Sequence, residues 1–365
     1  MSERSALLLV ALLLVTTPAA AEPAITILDL PFAARHLRGP GSAMAVSVAT
    51  SGLMPLARPK TADPKTADPK ATLSAEPEDA AVVVVWGEGG GAALGLKDGR
   101  VETTLIGAEA IEGIAATETP RGALPGSRGA VIGPVSAQLT RGESGPMLTI
   151  RERQPVAMST EPKAVPIASQ PVSAGPGAAF TASRPHAMLA GAASLVAAVA
   201  AQGTGASLLT VIGKAEGRPG SAWDVLARSP PQADGLGIAA AGPFAGPGTL
   251  RIATVAAPEG RGLLQLWAWE AGSLRLLTEA GGYTDRAPGA AEADLASPVG
   301  TEPPELALAV LDRRAVAILG LKDTIRERTR IALPAPAIGL SGLGRGAQAR
   351  IVVALADGRV ALVTP

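Results

Sequence analysis

Two histidines and no cysteine are all that this 365-residue chain offers to the commonest forms of side-chain chemistry. His36 and His186 are far apart and neither belongs to an H-x-x-x-H or H-E-x-x-H pattern, so no preorganised zinc pair exists. Without cysteine there is no thiol nucleophile, no disulfide and no lipid-modified N-terminus. No G-x-S-x-G elbow occurs, which removes the usual cue for an α/β-hydrolase nucleophile. Gly87-Glu88-Gly89-Gly90-Gly91-Ala92 follows an apolar run and fits G-x-G-x-x-A. That motif holds a pyrophosphate only when its last glycine opens a helix. Here AALGLKDGR follows, a short strand and a hairpin signal, so the expectation is a turn. His186, beside Pro185, reads as a solvent-facing turn residue. No catalytic residue, cofactor or metal ligand is therefore expected.

The residues best suited to binding are aromatic. Trp267 and Trp269 flank Ala268 and share one face of any strand that carries them. They serve either as packing between sheets or as a platform on which a ligand stacks. Trp86 and Trp223 stand late in other apolar runs, which favours packing. Gly281-Gly282-Tyr283-Thr284-Asp285 contains the only tyrosine. Tyr283 and Asp285 either display binding groups on a rim loop or form an ordinary turn with an anchoring ring. The binding candidates are thus Tyr283, Asp285, Trp267 and Trp269.

The elements that position them recur. Short apolar runs open at Ala43 (AMAVSVAT), Ala81 (AVVVVWGE), Ser194 (SLVAAVAA), Leu250 (LRIATVAA), Leu306 (LALAVLDR) and Arg350 (RIVVALAD). From Ser194 onward they start 56, 56 and 44 residues apart, and the wider gap before Ser194 leaves room for one more copy. Several copies turn and give a second run, with Asp-Gly hairpin signals at Asp98-Gly99 and Asp357-Gly358. Periods of this size with several strands per unit mark a β-propeller. We expect an all-β fold: a single propeller over 22–365, seven blades with six as the alternative, and helix almost confined to the N-terminal leader. The last copy has too few strands for a full blade, so ITILDL from Ile25 is expected to complete it and close the ring. The tandem KTADP pairs at Lys60–Pro69 place a solvated, flexible loop across 57–78, and residues 159–186, with five prolines, read as a long loop between blades.

Composition supports that outline. Lys plus Arg equals Asp plus Glu at 32 each, so no net field draws the chain to nucleic acid or an anionic membrane. Aromatic residues are 2% of the chain, while Gly and Pro number 43 and 32. The core must be Ala, Val, Leu and Ile on short strands between many turns. Residues 1–21 read as a secretory signal peptide: Arg4, an apolar run from Ala6 to Val15, then Ala19-Ala20-Ala21 for cleavage. Ten apolar residues fall short of the roughly 20 needed to span a bilayer. Ala187–Ala201 is likewise too short, and reads as the opening strand of a blade. A periplasmic or secreted location in a Gram-negative-type bacterium is expected.

The stretch from Ser194 to Pro365 resembles bacterial FG-GAP or VCBS-type repeat proteins, which are related to the integrin-alpha propeller. GASLLTVIGKAEG with WDVLARSPP, the run from Leu250 to Arg286, and PPELALAVLDRRAVAIL carry the likeness. The resemblance implies the propeller fold over about half the chain. In that family a D-x-D-G-D-G-type loop before each strand chelates Ca²⁺. The matching segments here are Gly242–Gly248, Pro298–Glu302 and Gly342–Gly346, in which those carboxylates are missing, so calcium is not expected to bind.

Two functions remain open on these residues. One is a non-catalytic scaffold, monomeric, that binds another periplasmic protein or a glycan on a face near Gly281–Asp285. The other is a propeller enzyme of the lyase, glycosidase or quinone-dependent dehydrogenase type, against which the scarcity of histidine counts.

Overall fold

The computed structural model describes residues 24–52, 81–116, 118–143, 145–154, 165–203, 205–215, 221–270, 272–300 and 302–365. The leader and the KTADP segment lie outside them. Apart from two helices, the regular structure is almost wholly strand. β1 (Ala24–Leu28) is followed by a first sheet of β2 (His36–Arg38), β3 (Val83–Gly87), β4 (Gly90–Lys97) and β5 (Arg100–Ile106). The second sheet holds β6 (Ala130–Ile132), β7 (Val135–Gly142), β8 (Gly145–Arg153) and β9 (Ile167–Val172). The third holds β10 (Ala178–Phe180), β11 (His186–Ala190), β12 (Ala193–Gln202), β13 (Ala206–Lys214) and β14 (Trp223–Arg228). The fourth is β15 (Leu236–Gly242), β16 (Leu250–Ala256), β17 (Leu263–Glu270) and β18 (Ser273–Ala280). The fifth is β19 (Tyr283–Thr284), β20 (Ala296–Val299), β21 (Glu305–Val310), β22 (Ala315–Gly320) and β23 (Arg326–Ala332). The sixth is β24 (Ala337–Leu343), β25 (Arg350–Leu355) and β26 (Val360–Thr364), with β1 antiparallel to β26 from Ala24 opposite Thr364 to Leu28 opposite Val360.

Every pairing is antiparallel, and the long apolar runs β3, β12, β16, β21 and β25 lie inside their sheets rather than at the inner edge. Side chains alternate across a strand, so each sheet buries apolar residues on both faces, and successive sheets share clusters. Val135, Leu139 and Ile150 meet Val196 and Ile212 between sheets two and three. Leu195, Leu209 and Val211 meet Ile238, Ile252 and Trp267 between three and four. Equivalent clusters join four to five, five to six, and six to one. The inner strands β2, β24, β20, β15, β11 and β6 contact one another in that order around an axis. This is a propeller arrangement built from small side chains.

Several expectations change. AMAVSVAT is not a strand but α1 (Ala43–Thr50), because Ser42 caps it: the Ala45 N–H donates to Ser42 Oγ at 3.1 Å. Met44, Ala45 and Val48 are buried with Trp86, Ile106 and Ile111. A second helix, α2 (Ala108–Ala115), contributes Ile111 to the same cluster. Helix is therefore present among residues 24–365, and it covers a face of sheet one. Residues 159–186 are not one loop. They contain β9 and β10, and Pro171 is tolerated because β9 is an edge strand. Ala187–Ala201 spans parts of two strands, β11 and β12, joined at Gly191. The Gly87–Ala92 segment is the β3–β4 hairpin, with Gly87 opposite Gly90. Asp98 and Gly99 both have positive φ, 49° and 75°, as a tight primed turn requires. Among the described residues no helix is long and apolar enough to cross a membrane.

Candidate axial binding site

The inner strands β2, β6 and β20 are three or four residues long, and the segments beside the inner strands bring charged side chains together. Arg38 ends β2, Arg128 precedes β6 by two residues, Arg184 and His186 begin the approach to β11, and Glu292 and Asp294 precede β20. Asp294 bridges two of these sources. Its carboxylate accepts from Arg38 Nη1 at 3.3 Å and from Arg128 Nη2 at 2.6 Å. Arg38 Nε donates to Glu118 at 2.6 Å, and Arg128 Nη2 donates to Glu292 at 2.9 Å. The Leu340 N–H on β24 donates to the Asp294 carbonyl at 2.8 Å, which ties this loop to the sixth sheet. Behind Arg38 the guanidinium lies 5.3 Å from the Trp86 ring centre, and His36 stacks on the same ring at 4.9 Å.

Two donors in this set are unspent. Arg128 is only 8% exposed, and its Nε is buried without an acceptor. Arg184 makes no ion pair or hydrogen bond to any described residue. Both Arg184 and His186 lie deep among other atoms yet keep part of their surface accessible, so they line internal space rather than packed core.

Electrostatics follow from that geometry. Burial lowers the Arg184 pKa and the Arg128 charge lowers it further, while Asp294 and Glu292 act the other way without outweighing them. Burial also works against the Arg128 charge, but Asp294 and Glu292 outweigh it and raise its pKa. His186 is pushed down to about 3, by burial first and then by Arg184 and Arg128, so it is a neutral imidazole at physiological pH. A nucleophile–base pair is missing: among the described residues neither histidine hydrogen-bonds a hydroxyl or a carboxylate. Nor do three or more His, Cys, Asp or Glu side chains converge in a way that would hold a metal ion. The arrangement can bind and orient a charged group.

The residues expected from sequence fall elsewhere. Trp267 is buried between sheets three and four, its Nε1 donating to Thr254 Oγ1 at 2.9 Å, and Trp269 packs half-buried on the same cluster. Tyr283 is 5% exposed and its hydroxyl donates to Glu327 at 2.8 Å. Burial, then Glu327, pushes its pKa up to about 12. Asp285 is 0% exposed and accepts from Arg286 Nε at 2.9 Å. Burial opposes the Arg286 charge, but Asp285 outweighs it and the guanidinium pKa rises. Of the four, only Asp285 comes near the axial set, since Glu292 acts on its partner Arg286.

Arg38, Arg128, Arg184, Glu118, Glu292 and Asp294 carry no motif. A usable signal was present, however: a basic or acidic residue at or just ahead of a short extended segment, as in RHLR, SRGAVI, SRPH and EADLAS. A cavity of about 890 Å³ lies past the C-terminal ends of β2, β15, β20 and β24. Its only charged lining residues are Glu302 and Arg345, so it offers volume without a convergent set.

No family model and no curated protein matches the chain. Among solved structures it is similar to the beta-propeller domain of Myceliophteria thermophila Cps50 (Swd1), with 11% identity and a TM-score of 0.38 over 78% of this chain and 79% of that one. It is also similar to virginiamycin B lyase from Staphylococcus aureus, with 11% identity and a TM-score of 0.31 over 78% and 91%.

Proposed function

We propose that this chain is an exported, non-catalytic binding propeller that seats a small ligand at the axial arginine set. The observation that carries the reading is a pair of unspent donors: Arg184, a guanidinium with no hydrogen bond or ion pair to a described residue, and the orphaned Nε of Arg128, with Asp294 and Glu292 acting on both guanidiniums. A buried N–H without an acceptor is costly, and a bound ligand that accepts hydrogen bonds is the simplest relief. Export is supported by the leader pattern from Arg4 to Ala21. The six sheets are read as six blades rather than seven, in a ring closed by β1 on β26. Kinship with degenerate FG-GAP or VCBS-type repeats belongs to the same reading, as does a monomeric state.

The test is hydrogen exchange with and without a concentrated periplasmic small-molecule extract. Added protection is expected around Arg128, Arg184–His186 and Glu292–Asp294. Protection confined to the outer strands, or none anywhere, would overturn the axial seat.

A further inference from the structure

We infer that the cavity past the ends of β2, β15, β20 and β24 is a second binding site, and that it takes an uncharged, mainly apolar small molecule. At about 890 Å³ it has the size that encloses a drug-sized ligand. Segments of sheets one, four, five and six, together with α1, wall it, which makes it concave as small-molecule sites are. The walls are tied to one another. The Gly342 N–H on β24 donates to Ser297 Oγ on β20 at 2.9 Å, and the Gly346 N–H donates to the Gly300 carbonyl at 3.1 Å. A Cβ on Gly342 would come within 2.6 Å of the Pro298 carbonyl oxygen, so glycine lets these two inner strands close the wall. The site is therefore formed before anything enters it, and binding loses little to ordering.

The lining decides the ligand class. Pro40, Pro243, Pro298 and Pro304 have no N–H to donate. Among the described residues of the wall only Glu302 and Arg345 are charged, and both are exposed. One of each sign leaves the wall without net charge. An ionic ligand would leave water for walls that return few hydrogen bonds, which is costly. The helix α1 gives an independent sign. Its eight residues, AMAVSVAT, include no charge. Met44 and Val48 pack on sheet one, while Val46, 52% exposed, lines the cavity with Ala49. A surface helix normally turns polar side chains away from its packed face, yet here the second face is apolar where the cavity lies. None of the axial ion-pair residues lines this space, so the site does not depend on the axial seat.

Fluorescence titration of the full chain with Nile red, an uncharged dye that brightens in apolar surroundings, tests this. One saturable site is expected. Naphthalenemethanol should displace the dye, and naphthoate, of similar shape but anionic, should do so at least about tenfold more weakly. Val46→Asp should weaken the dye at least about tenfold, because its carboxylate would face the bound apolar surface. A carboxylate near the N-terminus of α1 favours the helix, so this variant should keep its circular dichroism melting curve. Leu105→Asp on β5, at a position 58% exposed and outside the cavity, is the control and should leave the affinity unchanged. Absence of saturable binding, equal displacement by naphthoate, or equal effects of the two aspartate variants would overturn the inference. None of these outcomes touches protection of the axial segments by the extract, so this site and the axial seat stand or fall separately.

Discussion

At Tyr283 the ring is buried and its hydroxyl reaches Glu327, so the residue is placed as an anchor between sheets four and five. Truncation should then act on stability. Tyr283→Ala is expected to cost about 3 kcal/mol from the lost ring and cavity, whereas Tyr283→Phe should cost about 1 kcal/mol for the hydrogen bond. Urea unfolding of the two variants checks this, and near-wild-type stability for the alanine variant would return the ring to the surface. His186 makes a pH prediction. Its folded pKa of about 3 is below the 6.5 of an unfolded histidine. Between those values the unfolded chain binds a proton that the folded chain refuses, so stability falls as pH drops through that window. The melting temperature should decline less steeply from pH 6.5 towards 3 in His186→Gln than in the parent. Parallel curves would show that His186 titrates normally in the folded protein.

Among the elements, β15 depends on a missing side chain. A Cβ on Gly237 would overlap the Asp285 carboxylate and the Arg286 guanidinium, so this strand runs beside the loop only as glycine. Gly237→Ala must displace a buried ion pair, and separating such a pair costs about 3 kcal/mol or more. Gly320→Ala on β22, where the nearest atom to a new Cβ is 3.8 Å away, is the control and should change stability by well under that amount. Chemical denaturation of both variants decides the matter; equal effects would refute it. The helix α1 rests on a smaller contact. Ser42→Ala removes its only side-chain cap and should cost about 1 kcal/mol, read by the same measurement.

For the molecule as a whole, β1 is the device that joins the two ends of the chain. Five residues pair with β26, and Ile25 packs against the core between sheets five and six. Without β1, β26 becomes an exposed edge, which invites pairing with other chains. A chain starting after Leu28 should melt several degrees lower and form concentration-dependent oligomers in sedimentation. A monomer of unchanged melting temperature would show that the fold does not need the strand.

Sequence alone determined the β class, the repeated unit and the tight turns. These are local matters: alternation, β-branched runs and glycine at positive φ act within a few residues of themselves. The long runs at Ala81, Ser194, Leu250, Leu306 and Arg350 are visible because β3, β12, β16, β21 and β25 lie inside their sheets and are apolar on both faces. The inner strands β2, β6 and β20 are three or four residues long and too short to show a period. So the helix in AMAVSVAT was hidden by its own valines, and the strands in 159–186 were hidden by proline. Tertiary structure decided the site. Arg38, Arg128 and Asp294 are up to 256 residues apart and come within hydrogen-bond reach because three sheets aim their inner strands at one axis. The same packing turned Tyr283 inward, because the wedge between sheets four and five could bury a ring that its flanking glycines left free to point either way.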